Sequence, residues 1–172
     1  PLLANAIISG LLSTGANACS VGLVSTPTLA NAARGHKAGV MITASHNPAP
    51  DNGFKFWNPD GSSFNTVQME AVEGLLLGKK VTAAAWDKVG RLSSADWAIE
   101  RHMAAIARHI GKLNAKVVVD CANGAASPIT PYLLRRLGCE VITLNGHPDG
   151  SFPGRSSEPT EENTKLLGKC VV

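Results

Sequence analysis

The segment Thr43-Ala44-Ser45-His46-Asn47-Pro48-Ala49-Pro50-Asp51-Asn52-Gly53-Phe54-Lys55 gathers a hydroxyl, an imidazole, two amides and an amine within one short stretch. Ser45 could act as a nucleophile or carry a phosphoryl group. The His46 imidazole and the Lys55 amine could orient and neutralise phosphate oxygens. The segment follows the apolar run Gly39 to Ala44, and in α/β sheets ligands gather at the C-terminal ends of strands. Pro48, Pro50 and Gly53 pre-set the shape of the loop, which lowers the entropy cost of holding polar groups in place. A surface turn rich in turn formers has the same composition, so spacing alone leaves both readings open.

Other chemistries lack their residues. The chain has no Walker loop, no GxSxG elbow and no HExxH pair. Asn123-Gly124-Ala125-Ala126 follows a strand pattern but lacks the three glycines of a dinucleotide loop. Cys19, Cys121, Cys139 and Cys170 never fall at CxxC spacing. That argues against zinc and a disulfide framework, and for reduced, buried thiols in a cytoplasmic compartment. His36, His102, His109 and His147 have no spaced partners and read as ordinary surface or helix histidines.

The elements that must position the Ser45 loop follow from periodicity. Leu2, Leu3, Ile7, Ile8, Leu11 and Leu12 recur at helical spacing, with a stop at Gly15. Ala18 to Val24 reads as a short strand. Thr26 reads as an N-cap with Pro27 at the first helical position, opening a helix to about Arg34. Gly39 to Ala44 is apolar on both faces, as in a covered parallel sheet. Phe54 to Trp57 is a second strand, closed by the turn Asn58-Pro59-Asp60-Gly61, and a helix follows from about Thr66 to Leu77. Residues 78–94 change in composition and read as a connection between two domains. Helical pattern resumes from about Ala95 to Leu113. Lys116 to Asp120 is a buried strand, Asn123-Gly124 a turn, Ser127-Pro128 the opening of a helix to Leu137-Gly138, and Glu140 to Leu144 another strand. Asp120 is placed to cap the strand-to-loop turn. Alternating helices and strands in both halves predict an α/β fold.

With 172 residues, there is room for one complete domain or two small ones. Sixteen Lys+Arg against 13 Asp+Glu leave a net charge of +3 with no basic run, so no nucleic-acid partner is expected. No apolar run approaches the ~18 residues of a membrane helix, so no membrane partner is expected either. The chain opens on Pro1 in a helical pattern and closes on Cys170-Val171-Val172, which reads as a strand just beginning. The expectation is a piece of a longer protein.

The Ser45 segment closely resembles the phosphoserine loop of the α-D-phosphohexomutase superfamily, Ala-Ser-His-Asn-Pro followed by Asn-Gly-x-Lys. Every position is present, from Ala44 to Pro48 and from Asn52 to Lys55. Gly22-Leu23-Val24-Ser25-Thr26-Pro27 resembles the family's strand-to-helix step before that loop. Val119-Asp120-Cys121-Ala122-Asn123-Gly124 resembles the opening of its second domain. The run from Pro148 to Arg155, with Glu158-Pro159-Thr160 and Asn163, resembles the segment preceding its metal loop. Ala126 departs from the pattern, where a glycine is common. The nearest branches by motif are phosphoglucosamine mutases and prokaryotic phosphomannomutase/phosphoglucomutases.

This resemblance implies two successive three-layer α/β/α sheet domains, both incomplete. The first spans residues 1–88, with the phosphoserine loop at 43–55, and the second spans 96–172. It implies a mutase that moves phosphate between the 1- and 6-positions of a hexose or hexosamine phosphate through a phosphoserine and a sugar bisphosphate. Ser45 would carry the phosphate, His46 would donate to phosphate or sugar, and Lys55 would position or deprotonate the attacking hydroxyl. Asn47, Asn52 and Gly53 would support the loop. Mg²⁺ would bind the Ser45 phosphate, with its Asp ligands beyond Val172, and the isolated piece would be inactive. Asp149 and Arg155 would lie in a loop near the metal region without a direct catalytic role. The alternatives are a non-catalytic sugar-phosphate-binding fragment and a serine-nucleophile hydrolase built on Ser45 and His46.

Overall fold

The computed structural model describes residues 1–78 and 81–171. Lys79, Lys80 and Val172, which fall in the expected inter-domain connection and the expected terminal strand, lie outside the described residues. The fold is α/β. In chain order the elements are α1 (Leu2–Ser13), β1 (Ala18–Ser20), α2 (Thr26–Ala33), β2 (Gly39–Ile42), β3 (Phe54–Trp57) and α3 (Thr66–Gly78). They continue with β4 (Leu92–Ser94), α4 (Ala98–Ala107), β5 (Lys116–Asp120), α5 (Thr130–Arg136), β6 (Glu140–Leu144) and α6 (Lys165–Val171).

The strands form three pairs. β1 and β4 are parallel, β2 and β3 antiparallel, and β5 and β6 parallel. Residues 43–53 carry the chain from β2 straight back along β3, in the register Ile42↔Phe54 and Met41↔Lys55. A direct return of this kind gives an antiparallel pair, whereas a parallel one needs a crossover. The expectation of a covered parallel strand over 39–44 is thereby corrected, and only Gly39 of β2 is buried.

Helix α2 secures this hairpin. Its N-cap is Ser25, whose carbonyl accepts the N–H groups of Thr28 (3.0 Å) and Leu29 (3.1 Å). Thr26 is thus already inside the helix, one residue ahead of the expected start. Pro27 occupies a first-turn position, where no intrahelical N–H bond is lost. Leu29 and Ala33 of α2 pack with Val24 and Trp57 in the main buried cluster, against which Met41 and Ile99 also lie. A second cluster, Ala32 with Ala95 and Ala98, ties α2 to the start of α4. Small side chains here let the two helices approach closely.

Two readings of the chain change. The stretch 78–94, expected as a connection between two domains, ends in a strand, β4, paired with β1 from Ala18↔Leu92 to Ser20↔Ser94. The terminal apolar run is helical: Cys170 and Val171 lie in α6. Thr164 N–H bonds back to the Thr160 carbonyl (3.1 Å), and Gly168 N–H to that of Thr164 (3.2 Å), so the turn at 160–164 winds directly into the helix. Leu167 and Cys170, three residues apart and half-buried, share the same side of α6, which packs on β5. The helix from Ser127-Pro128 starts later, at Thr130. The four cysteines are free thiols, with Cys121 and Cys139 buried and Cys19 and Cys170 half-buried. No helix among the described residues is long and apolar enough to cross a membrane.

Candidate active site

The Ser45 loop leaves β2 and is closed at its base by Thr43 N–H donating to the Gly53 carbonyl at 2.8 Å. A Cβ at Gly53 would meet the Thr43 carbonyl oxygen at 2.9 Å, so close backbone approach is what requires glycine there. Ser45 adopts φ 63°, a left-handed conformation that non-glycine residues seldom take. Its N–H donates to Thr43 Oγ1 at 3.0 Å, and Asn47 N–H donates to the Ala44 carbonyl at 3.2 Å, which holds the turn. Strained residues of this kind persist where the surroundings over-determine them, often at functional sites.

Ser45 and His46 are brought together: Ser45 Oγ lies 3.4 Å from His46 Nδ1, and both residues are exposed. Lys55 is elsewhere, on β3 opposite Met41, with its side chain exposed. Asn52 supports the loop locally, its side-chain amide donating to the Pro50 carbonyl at 3.2 Å. Asn47 contributes through its backbone, its carbonyl accepting a bond from the Ser157 hydroxyl.

Sequence reasoning did not assign a role to the partners that arrive from the second half of the chain. Ser157 Oγ donates to the His46 carbonyl at 2.7 Å and lies 3.2 Å from that of Asn47. A Glu158 carboxylate oxygen stands 3.6 Å from His46 Nε2. Their segment is anchored by Asp120 and Arg155, whose side chains are nearly buried and paired at 2.5 Å. Asp120 also accepts the Ala122 N–H (2.9 Å), the expected turn cap, and the Asn145 amide (2.8 Å). Burial pushes the Asp120 carboxyl up, but the bonds from Asn145, Ala122 and Arg155 outweigh it and hold the group below its ordinary value. Asp149 is occupied locally by the N–H (2.9 Å) and hydroxyl (2.7 Å) of Ser151. Glu158 opens the Glu158-Pro159-Thr160 motif, but nothing in the sequence places it beside His46.

His102, read as an ordinary helix histidine, has a specific partner: its Nδ1 lies 2.9 Å from Thr28 Oγ1, which in turn lies 2.9 Å from Ser25 Oγ. Burial lowers its pKa below the usual imidazole value.

Mg²⁺ takes oxygen ligands, carboxylates and phosphates above all. No group of three or more His, Cys, Asp or Glu among the described residues could hold a metal ion. These residues therefore do not form a Mg²⁺ site by themselves; a phosphate on Ser45 would offer one oxygen donor toward one.

The chain that carries this loop is similar to known proteins over most of its length. Residues 1–81 match the family described as "Phosphoglucomutase/phosphomannomutase, alpha/beta/alpha domain I", and residues 99–172 match its domain II. A Methanosarcina barkeri protein named "Probable phosphoglucosamine mutase" is 48% identical over 172 residues, covering 100% of this chain and 40% of the relative. A phosphopentomutase of Thermococcus kodakarensis is 44% identical, covering 99% and 38%. The crystal structure of a phosphoglucomutase/phosphomannomutase family protein from Burkholderia thailandensis superposes with a TM-score of 0.83 at 29% identity, covering 96% of this chain and 37% of that one. The chain thus spans about two fifths of the length of the curated relatives it matches, and over that span it belongs to the phosphoglucomutase/phosphomannomutase family.

Proposed function

We propose that this chain carries the phosphoryl-bearing serine of a mutase acting on a hexose or hexosamine phosphate. The observation that supports it most directly is the conformation of Ser45: an exposed hydroxyl held at positive φ, with His46 Nδ1 at 3.4 Å. The names of the relatives, phosphoglucosamine mutase and phosphopentomutase, agree with phosphoryl transfer on a sugar phosphate.

In this reading the phosphoryl group passes from Ser45 Oγ to a free sugar hydroxyl. The Ser45 O–P bond breaks and a sugar O–P bond forms, the sugar hydroxyl giving up its proton as its oxygen attacks and Ser45 Oγ taking one up as it leaves, and a bisphosphorylated sugar results. The second phosphate then returns to Ser45, so the serine ends as it began and the sugar phosphate has changed position. A phosphoserine carries about −1.5 to −2 charge at neutral pH and needs nearby donors. His46 supplies one beside Ser45. Lys55, a mobile cation on a flexible stem, approaches the attacking hydroxyl or its phosphate. Positioning and charge neutralisation carry most of the rate in such transfers.

The test uses the full gene product. Mass spectrometry of purified protein is expected to find about +80 Da, the mass of HPO₃ (a phosphoserine), on the peptide containing Ser45. Activity after dephosphorylation should return on adding a sugar bisphosphate. Full activity without phosphate on Ser45, indifferent to added bisphosphate, would overturn the reading. Formation of an acyl-enzyme at Ser45 with a serine-directed probe would instead favour a hydrolase.

A further inference from the structure

We propose that Glu158 is a positioning residue for His46: delivered from the second α/β unit, it holds the imidazole so that Nδ1 faces Ser45. This rests on the mutase reading for its consequence in catalysis, but the geometry stands apart from it. The His46 ring bridges the Ser45 hydroxyl and the Glu158 carboxylate through its two nitrogens, with 3.4 Å between Ser45 Oγ and Nδ1 and 3.6 Å between Nε2 and Glu158 Oε2. An exposed histidine samples several ring orientations, and only some present Nδ1 to the preceding residue. A carboxylate beside the opposite nitrogen selects among them.

A second contact fixes the same residue by its backbone. Ser157 Oγ donates to the His46 carbonyl at 2.7 Å, so adjacent residues of one segment hold both the main chain and the ring of His46. Stability is not the reason for the pair. The side chains of His46 and Glu158 are 64% and 49% exposed, and ion pairs at such sites contribute little to folding. Orientation of a working group is the remaining use, and where a histidine is a metal ligand, losing the partner that orients its ring costs roughly 10–100-fold, the scale taken here.

The experiment compares Glu158→Ala, Glu158→Asp, His46→Ala and the double variant of Glu158→Ala with His46→Ala in the full gene product. Glu158→Ala should lower kcat about 10-fold or more with KM nearly unchanged, while melting at the wild-type temperature. Glu158→Asp should restore part of the loss. In the His46→Ala background, removing Glu158 should cost nothing further, because its effect passes through the ring. An equal loss in both backgrounds would overturn the proposal in favour of a purely structural role. A crystal structure of Glu158→Ala gives a readout independent of activity: the ring should leave its place beside Ser45 Oγ. A ring still ordered at about 3.4 Å would overturn the proposal even if the mutase reading holds. Absence of mutase activity in the wild-type protein would sink that reading, while the crystallographic arm would still decide the role of Glu158.

Discussion

Arg155 Nε lies 2.5 Å from Asp120 Oδ2, joining the end of β5 to the loop that reaches the Ser45 segment. The two side chains are 11% and 5% exposed, so each charge has exchanged water for its partner. Gly154, next to Arg155, completes the junction. Its N–H donates to Asn123 Oδ1 at 3.2 Å, and a Cβ there would sit 2.0 Å from Asn145 Oδ1. The segment bearing Ser157 and Glu158 is therefore placed by a buried charge pair and a close approach, both within the second α/β unit.

Breaking this pair on one side leaves an uncompensated buried charge. Arg155→Met is expected to cost about 3–5 kcal/mol, the scale for such losses, read as a fall in denaturation midpoint. The pH dependence has a definite sign. The Asp120 carboxyl titrates below its ordinary value of 3.8 in the folded chain, so its stabilising contribution is present above that value. It is lost as pH falls below 3.8 through the folded pKa. Acid titration of wild type and Asp120→Asn should converge in that range; unchanged separation down to the lowest pH would refute the assignment.

Gly53→Ala tests the base of the Ser45 loop. The added methyl would stand 2.9 Å from the Thr43 carbonyl oxygen, and that oxygen belongs to backbone that cannot swing away. Relief requires moving Thr43 or Gly53, and with it the hydrogen bond that closes the loop at 2.8 Å. A loss of about 1–3 kcal/mol is expected, with turnover falling further than stability because Ser45 is displaced. Wild-type activity in this variant would show that the loop adapts.

The strands β3, β5 and β6 were legible to the residue, because runs such as Val117-Val118-Val119 and Phe54-Lys55-Phe56-Trp57 carry strong β preference and stop at turn formers. Strand β4 was not, since Leu92-Ser93-Ser94 is short and wholly exposed, and its pairing with β1 is decided by the partner. The apolar end of the chain misled for a related reason: Leu167 and Cys170 fit a helical stripe as well as a strand onset, and packing on β5 decides between them. In the site, the adjacency of Ser45 and His46 is direct in the sequence. The contribution of Ser157 was not, because it joins residues 111 positions apart, and no local pattern encodes a contact made by tertiary packing.

Thr28 and His102, 74 residues apart, offer a stability probe away from the site. Thr28 is fully buried, and its hydroxyl serves both Ser25 and His102. Thr28→Val should cost about 1–3 kcal/mol, since the shape is kept and the bonds are lost. Burial lowers the His102 pKa below 6.5, so the unfolded chain takes up this proton first. Its contribution to stability is complete above pH 6.5 and declines as pH falls below it toward the folded pKa. His102→Asn should weaken the dependence of melting temperature on pH between 7.5 and 5.5. An identical slope in wild type and variant would exclude His102 as its source.

Lys55→Met separates a working cation from an ordinary strand residue. Lys55 sits on β3 opposite Met41 with its side chain in solvent, and Met keeps most of the aliphatic stem. Folding should change by no more than about 0.5 kcal/mol, as for most exposed substitutions. In the full gene product kcat should nonetheless fall by ~10²–10⁴, the range for one group acting on a proton or positioning an attacking oxygen. Near-normal turnover would reduce Lys55 to a strand residue.

Ser45 is where conformation and chemistry can be pulled apart by two substitutions at one position. The backbone at φ 63° costs an L-residue roughly 1–2 kcal/mol relative to ordinary helical geometry, and glycine avoids that cost. Ser45→Gly should therefore be more stable than Ser45→Ala by about 1 kcal/mol, after allowing for the greater freedom of glycine in the unfolded chain. Both variants lack an oxygen to carry the phosphoryl group, so both should lose mutase activity and the +80 Da species alike. Stability and activity would then move independently at the same residue: the strain belongs to the fold, and the hydroxyl belongs to the reaction. If Ser45→Gly is no more stable than Ser45→Ala, the left-handed turn is not a source of strain. If either variant keeps substantial turnover, the phosphoryl group is carried by some residue other than Ser45.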